Sequence, residues 1–200
     1  MCIFNLKVLF YIPNIVGYVR ILLLLVSFYV MQSHPKVTIV LYLSSWFLDA
    51  VDGYAARCYN QSSKFGWVLD LVTDKMATAC LITCLTKFYS EYMFLFQMWL
   101  IIDIYAHWMY QIAMALSGKT SHKGVGSEVP ILVRFFYQSR TSLFIICSAS
   151  EIFFATLYLR YFFDNFIVNG VLYFTLPIML FKTTISLMHL KQAVKILSQI

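Results

Sequence analysis

The chain has 200 residues, of which 61% are hydrophobic and only 12% are charged. Soluble globular domains are roughly half apolar and carry about 25% charged residues, so this composition excludes an ordinary soluble fold and indicates an integral membrane protein. The net charge of +6 comes without the clustered basic face and aromatic platforms that nucleic-acid binding requires, so no nucleic-acid partner is expected.

Apolar segments recur along the chain at lengths near the roughly 20 residues that a helix needs to cross a bilayer. The predicted fold is all-α, because lipid-exposed backbone must satisfy its hydrogen bonds within its own helix. Pro13 and Asn14 mark the start of the first span, and Pro35 follows the turn after it. We expect one domain, 1–200, with six transmembrane helices around a polar site, at about 11–31, 37–57, 66–88, 92–116, 141–161 and 166–190.

Charges in the predicted connections give the orientation of these spans. The side that collects most of the basic residues carries Lys7, Arg57, Lys64, Lys119, Lys123, Arg134, Arg140, Lys191 and Lys195. The positive-inside rule places that side in the cytosol. Both termini and the connection after the second span are then cytosolic, where basic residues also attract anionic lipid headgroups.

Four aspartates stand within 26 positions of the second and third predicted spans, although the chain has only nine acidic residues. On a helix, Asp49 and Asp52 share a face at i, i+3, and Asp70 and Asp74 share one at i, i+4. The connection between the two spans is short, so both pairs should converge near the cytosolic end of a helical hairpin. Capping or snorkelling accounts for one or two such carboxylates, but intramembrane charges usually face a polar interior and mark a functional site.

Four carboxylates in a medium of low dielectric repel each other unless a cation neutralises them. Oxygen ligands favour hard ions such as Mg²⁺ or Mn²⁺, and two ions about 4 Å apart suit phosphoryl transfer. Gly53, next to Asp52, leaves a bare helix surface for a diphosphate or ribose, and Gly66 is expected to offer a similar opening. Arg57 can pair with phosphate oxygens through its planar fork, and Ser63 can donate a hydroxyl to the same ligand.

The stretch from Asp49 to Asp74 matches, at every fixed position, the signature D-x2-D-G-x2-A-R-x8-G-x3-D-x3-D. In this it resembles the CDP-alcohol phosphotransferases. The resemblance implies six transmembrane helices, a homodimer and a cytosol-facing site with two divalent ions, Mg²⁺ or Mn²⁺. It makes Asp49, Asp52 and Asp70 metal ligands, and it makes Asp74 both a metal ligand and the catalytic general base.

The resemblance also implies that a substituted phosphate passes from a CDP-linked donor to an alcohol, with release of CMP. Carried over by position, Gly53, Arg57 and Ser63 become contacts of the donor. Recognition of a polyol acceptor needs several hydrogen-bonding groups, which makes Arg134 and Arg140 candidates for acceptor or phosphate contacts. Ordinary positive-inside charge explains these two arginines equally well.

Further stretches, 13–20, 48–75, 103–108 and 121–123, resemble the eukaryotic members of the family that use CDP-diacylglycerol as donor and myo-inositol as acceptor. They imply phosphatidylinositol synthesis in the endoplasmic reticulum membrane. Glycerol 3-phosphate, serine and phosphatidylglycerol stay open as alternative acceptors. A divalent-cation transporter is the alternative from a different class, although transporters place such groups near the bilayer midplane, often on broken helices.

Polar residues outside the motif have two interpretations each. Asn14 and Arg20 either reach the substrate pocket, or serve as a helix cap and an interfacial anchor. Asp103 and His107 stand at i, i+4 in the fourth span and are predicted to form a bonded polar pair. We expect that pair to be structural, because a metal site there would need more ligands.

Overall fold

The computed structural model describes residues 6–117 and 140–199, and the side chains of residues 140, 141 and 143 lie outside the described part. These residues are helical with short connections and contain no strand, which confirms the all-α prediction. Short 3₁₀ helices stand at Leu6–Phe10 and Ser90–Tyr92. The long helices are α1 Ile12–Val30, α2 Pro35–Cys58, α3 Lys64–Phe88, α4 Met93–Leu116, α5 Arg140–Phe162 and α6 Phe166–Leu197.

The chain divides into two compact units, Met1–Cys84 and Leu85–Ile200. In the first unit, α1 packs along α2, and most of α3 belongs to this unit. In the second unit, α6 packs against both α4 and α5. All four aspartates of the motif therefore belong to the first unit.

Local signals in the sequence set the ends of α1 and α2. Pro13 and Pro35 lie in the first turns of these helices, where the missing N–H would have had no intrahelical partner. After α2, Asn60 adopts a φ of 52°, a left-handed conformation that Asn tolerates at helix ends. The N–H of Gln61 then donates to the carbonyl of Ala56 over 3.0 Å, which completes a Schellman-type helix end.

Two side chains of the connection between α2 and α3 form hydrogen bonds, one to the start of α3 and one to the start of α1. Ser63 Oγ accepts a hydrogen bond from the N–H of Gly66 over 3.0 Å, so Ser63 is the N-cap of α3. Gln61 Oε1 accepts from the N–H of Ile12 over 2.8 Å, which satisfies a free donor at the start of α1. The two helices that carry the aspartates are thus joined by a short, fixed connection.

The first helix buries polar side chains and exposes apolar ones. Asn14, Arg20 and Ser27 are almost fully buried, whereas Leu22 and Leu25 are more than half exposed. A soluble helix shows the opposite pattern, and polar residues that face the bundle interior are typical of membrane helices. α1 therefore presents apolar side chains outward and a polar stripe toward the interior of the first unit.

Among the described residues, three helices are long and apolar enough to cross a membrane by length and composition: α1, Phe144–Phe162 within α5, and α6. The remaining long helices include α2 and α3, which carry the aspartate pairs. An integral membrane protein is thus supported, while the crossing of the membrane by all six helices stays a prediction.

A polar cluster joins α4 to α6 in the second unit. Lys182 Nζ lies 3.8 Å from Asp103 Oδ1 and 5.7 Å from the ring centroid of Trp99. The indole N–H of Trp99 donates to Thr183 Oγ1 over 2.9 Å. The structure thus gives Asp103 an ion-pair partner on another helix, and its predicted pairing with His107 along α4 stays a prediction.

Candidate active site

The two aspartate pairs converge on one side chain of α1, the guanidinium of Arg20. Its Nη1 lies 2.9 Å from Asp49 Oδ1, 2.8 Å from Asp52 Oδ2 and 2.7 Å from Asp70 Oδ1. Its Nη2 contacts Asp74 Oδ1. The convergence that the residue spacing predicts is therefore present, and its centre is a cation from a third helix.

Exposure increases in steps across this four-aspartate cluster. Arg20 is 2% exposed and the side chain of Asp52 is 11% exposed. The side chain of Asp49 is 31% exposed, that of Asp70 is 42% and that of Asp74 is 54%. The cluster thus has a buried floor, at Arg20 and Asp52, and an open mouth, at Asp70 and Asp74.

Hydrogen bonds between α1 and α2 fix the position of Arg20. Ser45 Oγ on α2 donates to the backbone carbonyl of Arg20 over 3.2 Å. Further along the pair, Ser27 Oγ on α1 donates to the carbonyl of Thr38 over 3.2 Å. Because small hydroxyl side chains let two helices approach closely, the guanidinium is held by the packing of the whole helix pair.

Two glycines set the close approach of α1 to α3. A Cβ on Gly17 would lie 3.0 Å from Leu69 Cδ2, and a Cβ on Gly66 would lie 2.6 Å from Asn14 Oδ1. Asn14 is buried, and its Nδ2 donates to the carbonyl of Val8 over 2.5 Å. The expectation that Gly66 opens a ligand surface is therefore wrong, because the side chain of Asn14 fills that space.

Gly53 lies at ordinary contact distance from one side chain of its own helix. Among the described residues, a Cβ there would meet only the guanidinium of Arg57, at 3.5 Å from Nη1 and 3.9 Å from Nη2. The surface beside Asp52 is thus bordered by a flexible cationic side chain, which can move toward an incoming anion. Ser63 uses its oxygen as the cap acceptor and keeps its hydroxyl proton for another acceptor.

The proposed acceptor contacts lie where the structure gives no side-chain geometry. Arg134 is outside the described residues, and Arg140 begins α5 with its side chain outside the described part. Their assignment as acceptor or phosphate contacts stays a prediction.

The donor set of the cluster fits a hard divalent cation. Oxygens from Asp49, Asp70 and Asp74 all lie within 4.8 Å of one another. Opposite oxygens around Mg²⁺, at ligand distances of 2.0–2.1 Å, are roughly 4.2 Å apart. The three aspartate oxygens would therefore have to move only slightly closer together to bind such an ion. Asp52 contacts the same guanidinium nitrogen from the buried side, and one guanidinium balances only one of the four carboxylates.

Sequence reasoning left Arg20 between two roles and did not foresee its contact with all four aspartates. A signal was nevertheless present in α1. Asn14, Gly17, Arg20 and Ser27 recur at helical spacing within an otherwise apolar segment and share its buried face. Such a stripe on a membrane helix indicates a polar interior, but it does not identify which groups the stripe contacts.

The helices and the cluster define the class of protein: a membrane protein of all-α fold whose acidic site suits hard cations. The CDP-alcohol phosphatidyltransferase family matches residues 10–181. This match covers most of the chain and both of its units, and the chain belongs to that family.

Relatives of known activity match nearly the whole chain. The CDP-diacylglycerol–inositol 3-phosphatidyltransferase of Saccharomyces cerevisiae is 43% identical over 96% of this chain and 87% of its own length. The enzyme of the same name from Candida albicans is 41% identical over 94% and 82%, and that from Homo sapiens is 36% identical over 94% and 92%. No solved structure gives a significant match.

Proposed function

We propose that this protein transfers the phosphatidyl group of CDP-diacylglycerol to myo-inositol, giving phosphatidylinositol and CMP. The observation that carries the proposal is the meeting of four motif aspartates at one open-mouthed cluster. The acceptor is supported by relatives that are 36–43% identical over most of the chain and carry the name of this activity.

Asp49, Asp52, Asp70 and Asp74 would hold the cofactor, two Mg²⁺ or Mn²⁺ ions. The support is the all-oxygen donor set and the carboxylate charge that Arg20 leaves unbalanced. When bound, such ions supply charge stabilisation to the diphosphate and to the departing phosphate oxygen.

Asp74 would be the general base, in addition to its role as a ligand. It is the most exposed of the four carboxylates, so an acceptor hydroxyl can come within the hydrogen-bond distance that proton transfer requires. Asp74 takes the proton of one inositol hydroxyl. That oxygen forms a bond to the phosphorus that carries diacylglycerol, while the bond from this phosphorus to CMP breaks and CMP leaves with the electron pair.

The donor nucleotide would bind beside Gly53, where the helix surface is bare and the guanidinium of Arg57 stands at the edge. Arg57 would pair with phosphate oxygens as a planar fork, and Ser63 would donate its hydroxyl to the same ligand. The acyl chains would stay in the bilayer beside α2 and α3, while inositol enters from the cytosol.

At the level of the whole protein, we propose a single domain 1–200 with six membrane-spanning helices, in a homodimer. The family match, which runs through both compact units, supports the single domain. Charge distribution supports cytosolic termini and a cytosolic active site. We also propose the endoplasmic reticulum membrane as its location, which the resemblance of the sequence to the eukaryotic members of the family implies.

The choice of acceptor is tested with purified protein, CDP-diacylglycerol and Mn²⁺, supplied with one acceptor at a time. Mass spectrometry of the lipid product should detect phosphatidylinositol with myo-inositol and at least about tenfold less product with glycerol 3-phosphate, serine or phosphatidylglycerol. A larger yield with one of those acceptors would keep the family and replace the acceptor. Ion flux into proteoliposomes without any CMP formation would indicate a transporter instead.

A further inference from the structure

One terminal nitrogen of Arg20, Nη1, has more carboxylate neighbours than it has hydrogens to donate. Its Nη1 carries two hydrogens, and these are directed to Asp52 and Asp70 over 2.8 and 2.7 Å. Asp49 Oδ1 lies 2.9 Å from the same nitrogen in an ion pair, without a hydrogen of its own to accept. The guanidinium therefore acts on Asp49 as a positive charge rather than as a hydrogen-bond donor.

The rest of the Arg20 side chain is buried, and its conformation is explained by the contacts of its terminal nitrogens with the aspartates. Arg20 is 2% exposed, and its Nε has no hydrogen-bond partner among the described residues. A buried donor without a partner is costly, so this rotamer is maintained by the attraction between the terminal nitrogens and the aspartates. Nothing in this arrangement resembles an interfacial anchor, whose charged end would reach toward water.

The carboxylate oxygens around Nη1 resemble the ligand shell of a cation, but at longer distances. They lie at 2.7–2.9 Å, whereas oxygen ligands of Mg²⁺ lie at roughly 2.0–2.1 Å. An ion that binds the same oxygens at its own distance would come close to the guanidinium charge and be repelled by it. Arg20 and a divalent ion therefore favour the same oxygens and oppose each other.

We propose that Arg20 is a tethered cation that holds the four-aspartate cluster together in the ion-free protein and competes with divalent ions for its carboxylates. The inference rests on the proposed function in that the divalent ions are the cofactor of that reaction. Its consequence is a site that stays assembled without ions and binds them more weakly than four bare carboxylates would.

The test is the thermal unfolding of Arg20→Gln, in detergent, with either EDTA or Mn²⁺. In EDTA the apparent Tm should fall by roughly 5–10 °C, because the carboxylates lose the buried cation that contacts all four of them. Mn²⁺ should restore most of this loss, so the Mn²⁺-induced rise in Tm exceeds that of the wild type. Half-saturation, followed by the electron paramagnetic resonance of free Mn²⁺, should occur at a concentration at least about tenfold lower, a factor equivalent to about 1.4 kcal/mol.

Three further variants keep the test specific. Arg20→Lys retains the charge and should stay closer to the wild type than Arg20→Gln in both measurements. Asp49→Asn added to Arg20→Gln should raise the Tm in EDTA, because one uncompensated carboxylate is removed. Arg160→Gln, which removes an arginine of the second unit, should match the wild type in Mn²⁺ binding.

An Arg20→Gln protein whose Tm is equally low in EDTA and in Mn²⁺ would contradict the inference, because the role of Arg20 would then be packing alone. Unchanged Mn²⁺ half-saturation would contradict it as well. If the variant is purified only with Mn²⁺, aggregation on chelation supports the inference, and aggregation before chelation contradicts it.

These measurements use no substrate and are independent of turnover. If the wild type forms no lipid product but the comparison with Arg20→Gln gives the expected Tm and Mn²⁺ results, the proposed function alone would be refuted. An active wild type whose Mn²⁺ binding is indifferent to Arg20 would refute this inference alone.

Discussion

Two glycines of the motif contribute to the site in opposite ways. Gly66 lies against Asn14, so its missing Cβ lets α1 and α3 come together. Gly53 faces the guanidinium of Arg57, at ordinary contact distance, so its missing Cβ leaves room for a ligand if that flexible side chain moves. The fixed spacing of the motif cannot separate these roles, because only the partner helix reveals which glycine is covered.

Gly66→Ala should destabilise the protein by about 1–3 kcal/mol, since the new methyl group would overlap Asn14 Oδ1. Thermal unfolding measures this as a Tm fall of several degrees. The matched control is Gly170→Ala on α6, where a Cβ meets nothing within 4 Å. This control should be neutral or stabilising by up to about 1 kcal/mol. Equal changes in Tm for Gly66→Ala and Gly170→Ala would show that Asn14 of α1 is not in close contact with Gly66.

Gly53→Ala should leave the Tm unchanged or slightly raised, because its Cβ finds only ordinary contact with Arg57. The added methyl group should instead obstruct the approach of the donor, which raises KM for CDP-diacylglycerol by roughly tenfold or more. Initial rates at varied donor concentration measure this. An unchanged KM would remove Gly53 from the donor site.

At the scale of elements, the connection from α2 to α3 determines how the two aspartate pairs meet. Asn60 turns the chain with a positive φ, Gln61 bonds to the start of α1, and Ser63 caps α3. The side chains of Gln61 and Ser63 accept hydrogen bonds from backbone N–H groups that the starts of α1 and α3 leave free. The short connection was predictable from the sequence, but the bond from Gln61 to α1 was not, since it joins segments distant in the chain.

Ser63→Ala should lower the free energy of unfolding by about 1 kcal/mol through loss of the cap. Ser63→Asn should restore that stability, because Asn is an equally good N-cap. Both variants lose the hydroxyl and should show a raised KM for CDP-diacylglycerol if Ser63 contacts the donor. A normal KM in Ser63→Asn would restrict Ser63 to capping.

Hydropathy located the helices well and their ends less well. Within the described residues, the predicted segments agree in position with the six long helices, because apolar residues are frequent wherever these helices lie. The last helix nevertheless continues to Leu197, past the predicted end near 190. Lys191 and Lys195 make that end polar, which ends a hydropathy signal but not a helix, since Lys is a good helix former.

At the scale of the whole molecule, charge is distributed unevenly along an apolar chain. Basic residues concentrate on one predicted side, and the acidic residues concentrate in the four-aspartate cluster. The sequence was sufficient to predict that the aspartates meet, because helical spacing and a short connection are local properties. It was insufficient to predict that Arg20 lies among them, since that contact depends on how α1 packs against α2.

The predicted membrane topology rests on the same charge asymmetry. A glycosylation acceptor site inserted in the turn after α1, near Ser33, should be modified in microsomes, because six spans place that turn in the lumen. The same site appended after Ile200 should stay unmodified. Modification at the C-terminus would contradict the cytosolic orientation of the termini.

We propose that the four-aspartate cluster catalyses phosphatidyl transfer from CDP-diacylglycerol to inositol, with Asp74 as base. The decisive measurement is the release of CMP from CDP-diacylglycerol by purified wild type and Asp74→Asn, with Asp164→Asn, an exposed aspartate outside the cluster, as control. We expect release by the wild type and the control only when both myo-inositol and Mn²⁺ are present, and a loss of at least about a hundredfold in Asp74→Asn. Inositol-dependent release that persists in a folded Asp74→Asn protein would contradict the assignment of the base, and its absence from the wild type would contradict the function.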